Sequence, residues 1–236
     1  MSVIFSVHTI ATLLAASVVI SQPVTHFDTD KKLVALTFDA CSTIPPAPFD
    51  EGVLNYLVEN KIPATFFLSG MFIKHNREKI KELSSLDFIE LESHGYRHLH
   101  YQGKDRKIVE ENVLKNGTLI QKLTGRKPVF FRFPFGEYDD SSLEEVERLG
   151  YAVVHWTFES GDPDERVMKE DLVKRVLRKA KPGSILIFHI NGRGWHTKEA
   201  IADIVSQLKA KGYQFVLLKD VIPPTWKGSS PQASKP

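Results

Sequence analysis

The chain has few of the features that stabilise an exported protein covalently or attract a charged polymer. Cys41 is the single cysteine among 236 residues, so no disulfide can form within the chain. Lys and Arg number 31 against 29 Asp and Glu, and the net charge of +2 excludes the strongly basic surface that nucleic-acid binding requires. Hydrophobic residues make up 42% and charged residues 25% of the chain, values typical of a packed globular protein rather than a disordered or multispan membrane protein.

The two ends of the chain differ in composition from its middle. Residues 1–27 contain no Asp, Glu, Lys or Arg, and residues 10–20 form an apolar run of signal-peptide length that is too short to span a membrane comfortably. We expect residues 1–22 to be a signal peptide or N-terminal anchor, which predicts a periplasmic or secreted protein; a buried first helix is the alternative. Residues 223–236 are rich in Ser, Pro and Lys and are expected to be a disordered tail. Residues 23–222 would then form one folded domain.

A repeated unit runs through residues 31–221, in which an amphipathic helix is followed within a few residues by a short apolar strand. The helices are predicted to end at Asn60, Gly125, Gly150 and Gly212. Alternation of helices and strands favours a parallel sheet, and strands that are apolar throughout favour burial of both sheet faces. About seven such units come close to the eight of a parallel β/α barrel, so the sequence predicts an α/β fold of that kind.

Polar side chains follow the predicted strands at the points where they end. The six residues concerned are Asp39, His94, Arg132, Glu159, Asp162 and His189. In a parallel α/β barrel the functional groups gather at the carboxyl ends of the strands. The sequence therefore predicts one shared site.

A pair of histidines gives the sharpest local signal within that set. His94 and His98 are four residues apart, a spacing that puts two imidazoles on one face of a helical turn, where they could hold a divalent ion such as Zn²⁺. Two surface histidines are the alternative explanation, and Asp39 at a neighbouring strand end favours the metal site. His100 falls off that face and is expected to be a solvated loop residue.

Several short motifs occur in an order that is characteristic of one family. They are Thr37-Phe38-Asp39, ATFFL at residues 64–68, His94-x-x-x-His98, RFPFG at residues 132–136, Trp156-x-x-Glu159-x-x-Asp162 and Ile187-Phe188-His189. This order resembles that of the polysaccharide deacetylase family, the NodB-like carbohydrate esterases, over residues 33 to about 218. The resemblance implies a distorted β/α barrel and a metal-dependent hydrolase that removes acetyl groups from N-acetylated amino sugars.

The resemblance also implies a role for each matching residue. Asp39 matches the catalytic base, and His94 and His98 match two metal ligands. Arg132 matches the arginine that keeps the base carboxylate ionised and oriented. Phe135 matches the position whose backbone N–H faces the developing oxyanion.

The leaving-group side of the site is matched as well. His189 corresponds to the general acid that protonates the leaving amine, and Asp162 to the carboxylate that orients and charges its imidazole.

The metal site departs from the family pattern at one position. Ala40 stands where most members have a second Asp that binds the metal, and alanine cannot coordinate. A third ligand would have to come from Asp39 itself, from Asp50, from Cys41 or from water, unless no metal binds. Asp50 is more simply explained as the N-cap of the apolar helix that follows it.

Two further departures concern the walls of the site. Glu159 replaces the usual Asp, which alters the expected link to Arg132, and Pro163 replaces a usual Trp. Trp195, in a glycine-rich loop after His189, could stack on a sugar ring. Alternatively, Trp195 covers one end of the barrel and Thr197 caps the next helix.

These observations lead to one hypothesis and two alternatives. The hypothesis is a secreted or periplasmic N-deacetylase that uses a divalent metal, Zn²⁺ by its ligand types, and acts on an N-acetylglucosamine-type polysaccharide, with peptidoglycan as the first substrate to test. The alternatives are a catalytically silent carbohydrate-binding protein of the same fold and an O-acetyl esterase. Neither nucleic acid nor a stable membrane span is expected.

Overall fold

The computed structural model describes residues 22–41 and 47–223. The seven strands of this part are β1 (Leu33–Ala40), β2 (Ala64–Leu68), β3 (Ile89–Ser93), β4 (Phe130–Phe131), β5 (Ala152–Val153), β6 (Ser184–His189) and β7 (Gln214–Val216). Its seven α-helices are α1 (Glu51–Glu59), α2 (Gly70–His75), α3 (Arg77–Ser84), α4 (Arg106–Thr124), α5 (Asp140–Arg148), α6 (Lys169–Lys179) and α7 (Thr197–Ala210). Short 3-10 helices cover Pro134–Gly136 and Leu218–Asp220.

The strands form one curled parallel sheet. Its order is β5-β4-β3-β2-β1-β6, and β7 pairs with the first residues of β1. Isolated bridges between Val24 and Val154 and between Phe158 and Leu186 help to link the two outer strands. The result is a half-barrel of alternating strands and helices, which confirms the predicted α/β class and barrel architecture.

Two apolar layers cover the two faces of the central strand. Leu36, Phe38 and Ala40 belong to the large cluster that also contains the buried residues of α1, α6 and α7. Ala35 belongs to a smaller cluster on the other face, together with Phe67. Because side chains alternate along a strand, this arrangement leaves Asp39 on the face opposite Ala40.

The helix ends agree with much of the local sequence pattern. Gly125 ends α4 in the left-handed conformation, with φ of 73°, as glycine does at no steric cost. Asp50 caps α1, since its side chain accepts hydrogen bonds from the backbone N–H groups of Gly52 and Val53. Asp50 is therefore committed to the helix end, as the simpler explanation predicted.

Predictions about the chain ends are not decided by the fold. Residues 1–21 of the expected signal peptide or anchor lie outside the described part of the chain. Residues 224–236 of the expected tail lie outside it as well. No helix in the described ranges is long and apolar enough to cross a membrane.

Candidate active site

A buried ion pair forms the centre of the candidate site. Asp39, near the end of β1, is 4% exposed, and Arg132, directly after β4, is fully buried. Arg132 Nη1 donates to Asp39 Oδ1 at 2.8 Å. Its Nε and Nη2 donate to the carbonyl oxygens of Val154 and His155 at 3.2 and 2.9 Å, and the guanidinium carbon lies 4.0 Å from the centroid of the Phe67 ring. These contacts hold the arginine in one orientation.

The charge state of Asp39 follows from two opposing effects. Burial alone would raise the pKa of this carboxyl, but the positive charge and the hydrogen bond of Arg132 hold the pKa below its ordinary value. Asp39 is therefore an ionised carboxylate at neutral pH. Arg132 bonds Oδ1, while Oδ2 lies 3.8 Å from His94 Nε2.

The two predicted ligand histidines lie side by side next to Asp39. Their ring centroids are 5.1 Å apart. His94 Nδ1 lies 2.8 Å from the carbonyl oxygen of Arg132; because a carbonyl only accepts, Nδ1 carries the hydrogen and Nε2 presents its lone pair. Burial lowers the pKa of His94, and burial together with His94 lowers the pKa of His98 to about 3. Both imidazoles are therefore neutral, the form that binds a metal ion.

A loop, and not the predicted helical turn, brings these histidines together. The segment between β3 and α4 is irregular around both residues. Gly95 adopts a left-handed φ of 74°, and a Cβ there would lie 2.5 Å from Tyr101 Oη. The two histidines are close together, as their spacing predicted, but the predicted helical turn between them is wrong. The backbone instead adopts a left-handed conformation at Gly95, which a helical turn does not contain.

A third side-chain ligand does not join the pair. In residues 22–41 and 47–223, no group of three or more His, Cys, Asp or Glu side chains is arranged to hold a metal ion. Ala40 packs into the apolar core, Asp50 caps α1, and the thiol of Cys41 accepts from Asn191 Nδ2 at 3.3 Å. His98 Nδ1, however, is buried without a hydrogen-bond partner in the described residues. The donors that fit a divalent metal are thus two neutral imidazoles beside one carboxylate.

A second ionic pair lies on the strand next to the first. His189 ends β6 and sits opposite Asp39 in the strand register. Its Nδ1 lies 3.0 Å from Asp162 Oδ1, and Asp162 also accepts from Ser160 Oγ at 3.1 Å and Thr197 Oγ1 at 3.0 Å. Burial alone would lower the pKa of His189, but the Asp162 carboxylate outweighs it and raises the pKa. His189 is therefore biased toward the protonated imidazolium.

The loop after β6 is fixed against this pair. Trp195 N donates to the carbonyl oxygen of Asp162 at 3.0 Å, and a Cβ on Gly194 would lie 2.7 Å from Asp162 Oδ2. The Trp195 side chain is 56% exposed. The suggested N-cap at Thr197 is wrong: His196 occupies that position, and the Thr197 hydroxyl donates to Asp162 instead.

An aromatic stack borders the other side of the site. Phe135 has a φ of 61°, which is unusual for a residue other than glycine, and its side chain is 45% exposed. Its ring centroid lies 4.3 Å from that of His98 and 4.1 Å from that of His100. His100 Nδ1 lies 2.6 Å from Glu137 Oε2. His100 is exposed, as expected, but it belongs to the rim of the site, a role for which its spacing offered no signal.

Glu159 makes a different contact from the one its motif suggested. Its Oε1 accepts from Trp156 Nε1 at 2.9 Å. Arg132 donates to Asp39 and to two backbone carbonyls instead. The Glu159 carboxylate therefore binds the Trp156 indole and not the arginine.

Comparisons with known proteins agree with the fold and the motif order. A family model described as polysaccharide deacetylase matches residues 26–154, more than half of the chain. The chain is 28% identical over 196 residues to the peptidoglycan-N-acetylglucosamine deacetylase of Bacillus cereus, which covers 82% of this chain and 89% of that protein. It is 27% identical over 198 residues to the peptidoglycan-N-acetylmuramic acid deacetylase PdaA of Bacillus subtilis, with 83% and 73% covered.

One similar solved structure is that of a pseudoenzyme variant. It is a mutant of BA3943 from Bacillus anthracis, described as a CE4 family pseudoenzyme with restored enzymatic activity. The TM-score is 0.75 at 25% identity, and the match covers 89% of this chain and 73% of that one. The family match over most of the barrel leads to one conclusion: this chain belongs to the polysaccharide deacetylase family.

Proposed function

We propose that this protein is a hydrolase that removes acetyl groups from N-acetylated amino sugars of peptidoglycan. The observation that carries the proposal is the register of Asp39, held by Arg132, beside His189, held by Asp162, on the neighbouring strands β1 and β6. A base and an acid at the same edge of one sheet are what amide hydrolysis needs. Similarity to two peptidoglycan deacetylases supports the substrate class.

Asp39 acts as the base in this proposal. Its carboxylate is held by Arg132 through Oδ1, which leaves Oδ2 to accept a proton from water as the water oxygen attacks the acetamide carbon. Arg132 also donates to two backbone carbonyls. These bonds fix the guanidinium, which in turn fixes the orientation of the carboxylate. The ion pair keeps the base ionised in a site from which water is largely excluded.

His189 acts as the general acid. When the C–N bond of the acetamide breaks, the nitrogen of the sugar takes the proton from the imidazolium and leaves as an amine. Asp162 stabilises the imidazolium through the contact to Nδ1, and the other ring nitrogen is the one that delivers the proton. Ser160 and Thr197 donate to Asp162 and keep the carboxylate oriented.

His94 and His98 would hold a divalent cation, and their nitrogen donors suit Zn²⁺. A cation held there would supply polarisation of the acetamide carbonyl and a lower pKa of bound water. With Ala40 in place of a carboxylate, water would have to supply the further ligands of such a cation.

The substrate would be bound by two aromatic side chains. Phe135 offers its backbone N–H to the developing oxyanion and its ring, exposed on the rim, to the sugar. Trp195 is 56% exposed beside the general acid and provides a face on which a sugar ring can stack.

The proposal also includes export of the protein and a division of the chain into three segments. Residues 1–22 would direct the chain out of the cytoplasm, residues 23–222 would carry the chemistry, and residues 223–236 would form a tail. Peptidoglycan lies outside the cytoplasmic membrane, so a substrate of this class requires export.

A binding protein without catalysis is the second candidate, and Ala40 favours it. Two imidazoles without a third side-chain ligand bind a cation more weakly than three ligands do, and the fold is similar to that of a described pseudoenzyme. Such a protein would keep the cleft and bind the same glycans.

Acetate release from peptidoglycan and from chitooligosaccharides, with added zinc and with chelator, tests the proposal. We expect zinc-dependent release that Asp39→Asn abolishes. Asp50→Asn is the matched control, because asparagine caps a helix as well as aspartate does, and it should retain activity. Glycan binding without acetate release would support the second candidate instead, and absence of both would refute both.

A further inference from the structure

A second arginine lies at the functional edge of the sheet, in the loop that follows β6. Arg193 is half-buried, and its Nη1 lies 3.9 Å from the Sγ of Cys41. Cys41 comes directly after β1 and is fully buried. The guanidinium therefore lies over the end of the strand that carries Asp39. Its charge also acts on both His98 and His189, the side chains that border the cleft.

Arg193 differs from Arg132 in having no carboxylate partner. All 29 Asp and Glu residues of the chain lie within residues 22–41 and 47–223. The ion pairs of this described part engage Arg106, Arg132, Arg148 and Arg166, but no carboxylate of the part lies within 4 Å of Arg193. A half-buried guanidinium that the fold leaves without an anion is suited to bind one from a ligand, because its planar donors match a carboxylate.

The loop that carries Arg193 is held at both ends. Asn191 Nδ2 donates to the carbonyl oxygen and the thiol of Cys41, and Trp195 N donates to the carbonyl oxygen of Asp162. Between them Gly194 packs closely on Asp162, where a Cβ would clash. Arg193 and the exposed Trp195 ring are thus presented from one fixed segment, next to the general acid. A cation beside a stacking face is an arrangement that fits an acidic sugar.

We propose that Arg193 binds a carboxylate on the substrate, so that the protein selects N-acetylated amino sugars that bear an acidic substituent near the acetamido group. This inference rests on the proposed function. Within peptidoglycan it selects the muramic-acid-type residue, whose ether-linked carboxylate lies on the carbon next to the one that bears the acetamide. A neutral N-acetylglucosamine residue would cover the half-buried guanidinium without supplying an anionic partner, at a cost in desolvation.

Binding in a background that cannot turn over tests the assignment. Asp39→Asn prevents catalysis and keeps an oxygen that can accept from Arg132. Three probes are titrated by calorimetry: a peptide-free peptidoglycan oligosaccharide with free carboxylates, the same oligosaccharide with its carboxylates converted to amides, and chitotetraose. We expect the acidic probe to bind at least about tenfold more tightly than its amide, since one charge-assisted contact is worth at least about 1.4 kcal/mol.

Variants at position 193 separate the inference from the proposed function. Adding Arg193→Met should abolish the preference for the acidic probe while the amide and chitotetraose bind as before, and Arg193→Lys should retain part of it. Arg126→Met, far from the cleft, is the matched control. Retention of the preference in Arg193→Met, or equal binding of acid and amide by the parent, would overturn the inference and leave the proposed function standing. Binding of none of the three probes would overturn the proposed function itself.

Discussion

Asp39 and His189 lie side by side as register partners on the neighbouring parallel strands β1 and β6. Each is paired with an opposite charge from elsewhere in the chain: Asp39 with Arg132 at 2.8 Å and His189 with Asp162 at 3.0 Å. The two partners push the protonation states apart, one toward an ionised carboxylate and the other toward an imidazolium. Titratable groups separated in this way by their surroundings are the usual basis for assigning an acid and a base.

Removal of Arg132 should destabilise the fold strongly. Arg132→Met leaves the buried Asp39 charge and two carbonyls without their donor, and breaking a buried ion pair on one side costs about 3–5 kcal/mol. Urea denaturation at pH 7 measures the loss. The double variant Asp39→Asn/Arg132→Met should recover part of it, because no charge then remains buried. Equal stability of Arg132→Met and wild type would contradict the pairing.

The same pair predicts how acid affects the protein. The folded-state pKa of Asp39 is lowered, so its contribution to the free energy of unfolding is present above the ordinary pKa of 3.8 and is lost as the pH falls through the folded-state value. In Asp39→Asn this part of the acid dependence should disappear. Denaturation curves between pH 3 and pH 6 check it, with Asp50→Asn, an amide substitution at a part-buried helix cap, as the control.

Removing the charge of Asp162 should lower the pKa of His189, the proposed general acid. Asp162→Asn removes the charge that raises the pKa of His189, so the alkaline limb of the kcat profile should move to lower pH. NMR titration of the imidazole measures the same shift without turnover. The stability supplied by this pair is present below the ordinary histidine pKa of 6.5 and is lost as the pH rises through the folded-state value.

A matched variant separates charge from scaffolding at this position. Thr197→Val removes one hydrogen bond to Asp162 but leaves the carboxylate charge. It should lower stability by about 1 kcal/mol and leave the His189 titration nearly unchanged. Equal shifts of the titration in Thr197→Val and Asp162→Asn would contradict an electrostatic role for Asp162.

Zinc should stabilise the protein through two histidines only. A ligand that binds the folded state at 100 times its Kd adds about 2.7 kcal/mol, which thermal unfolding detects. His94→Ala and His98→Ala should each remove most of this gain. His100→Ala is the matched control, because His100 is exposed and pairs with Glu137. An unchanged zinc effect in His94→Ala would show that the cation binds elsewhere.

Two buried carboxyls on β3 should make the protein less stable as the pH rises, the opposite of the effect of Asp39. Burial raises the pKa of Glu90 to about 7 and, with Glu90 nearby, raises that of Glu92 as well. The folded state then binds more protons than the unfolded state, so stability falls as the pH rises from 4.5 to about 7. Glu90→Gln should be more stable than wild type at pH 8, by up to about 3 kcal/mol, and similar at pH 4. Glu111→Gln, an exposed helix position, should change neither.

The sequence motifs include much of the candidate site. Asp39, His94, Arg132 and His189 follow or end strands that apolar runs predicted correctly, and parallel strands bring their carboxyl ends to one edge. What local pattern could not predict was backbone detail. The loop between His94 and His98 takes a left-handed conformation at Gly95, where Tyr101 leaves no room for a Cβ, and the position of Tyr101 depends on the rest of the fold.

Long-range contacts account for the other differences. Thr197 has the composition of an N-cap, but its hydroxyl donates to Asp162, 35 residues away in the chain. Glu159 lies three residues after Trp156 and bonds its indole, whereas Arg132 is occupied by backbone carbonyls that only the folded sheet presents to it. Arg193 had no motif at all, and its proximity to Cys41 arises from the adjacency of β1 and β6.

The sequence by itself determined the alternation of strands and helices, the family and the edge of the sheet at which the polar groups meet, because hydrophobic periodicity and short motifs are local properties. Only the tertiary structure decided which charge pairs with which, which imidazole nitrogens remain free, and that one arginine is satisfied while another is left without an anion. Those properties depend on distances between residues far apart in the chain and on the loss of solvent around them, and neither is encoded within any short segment.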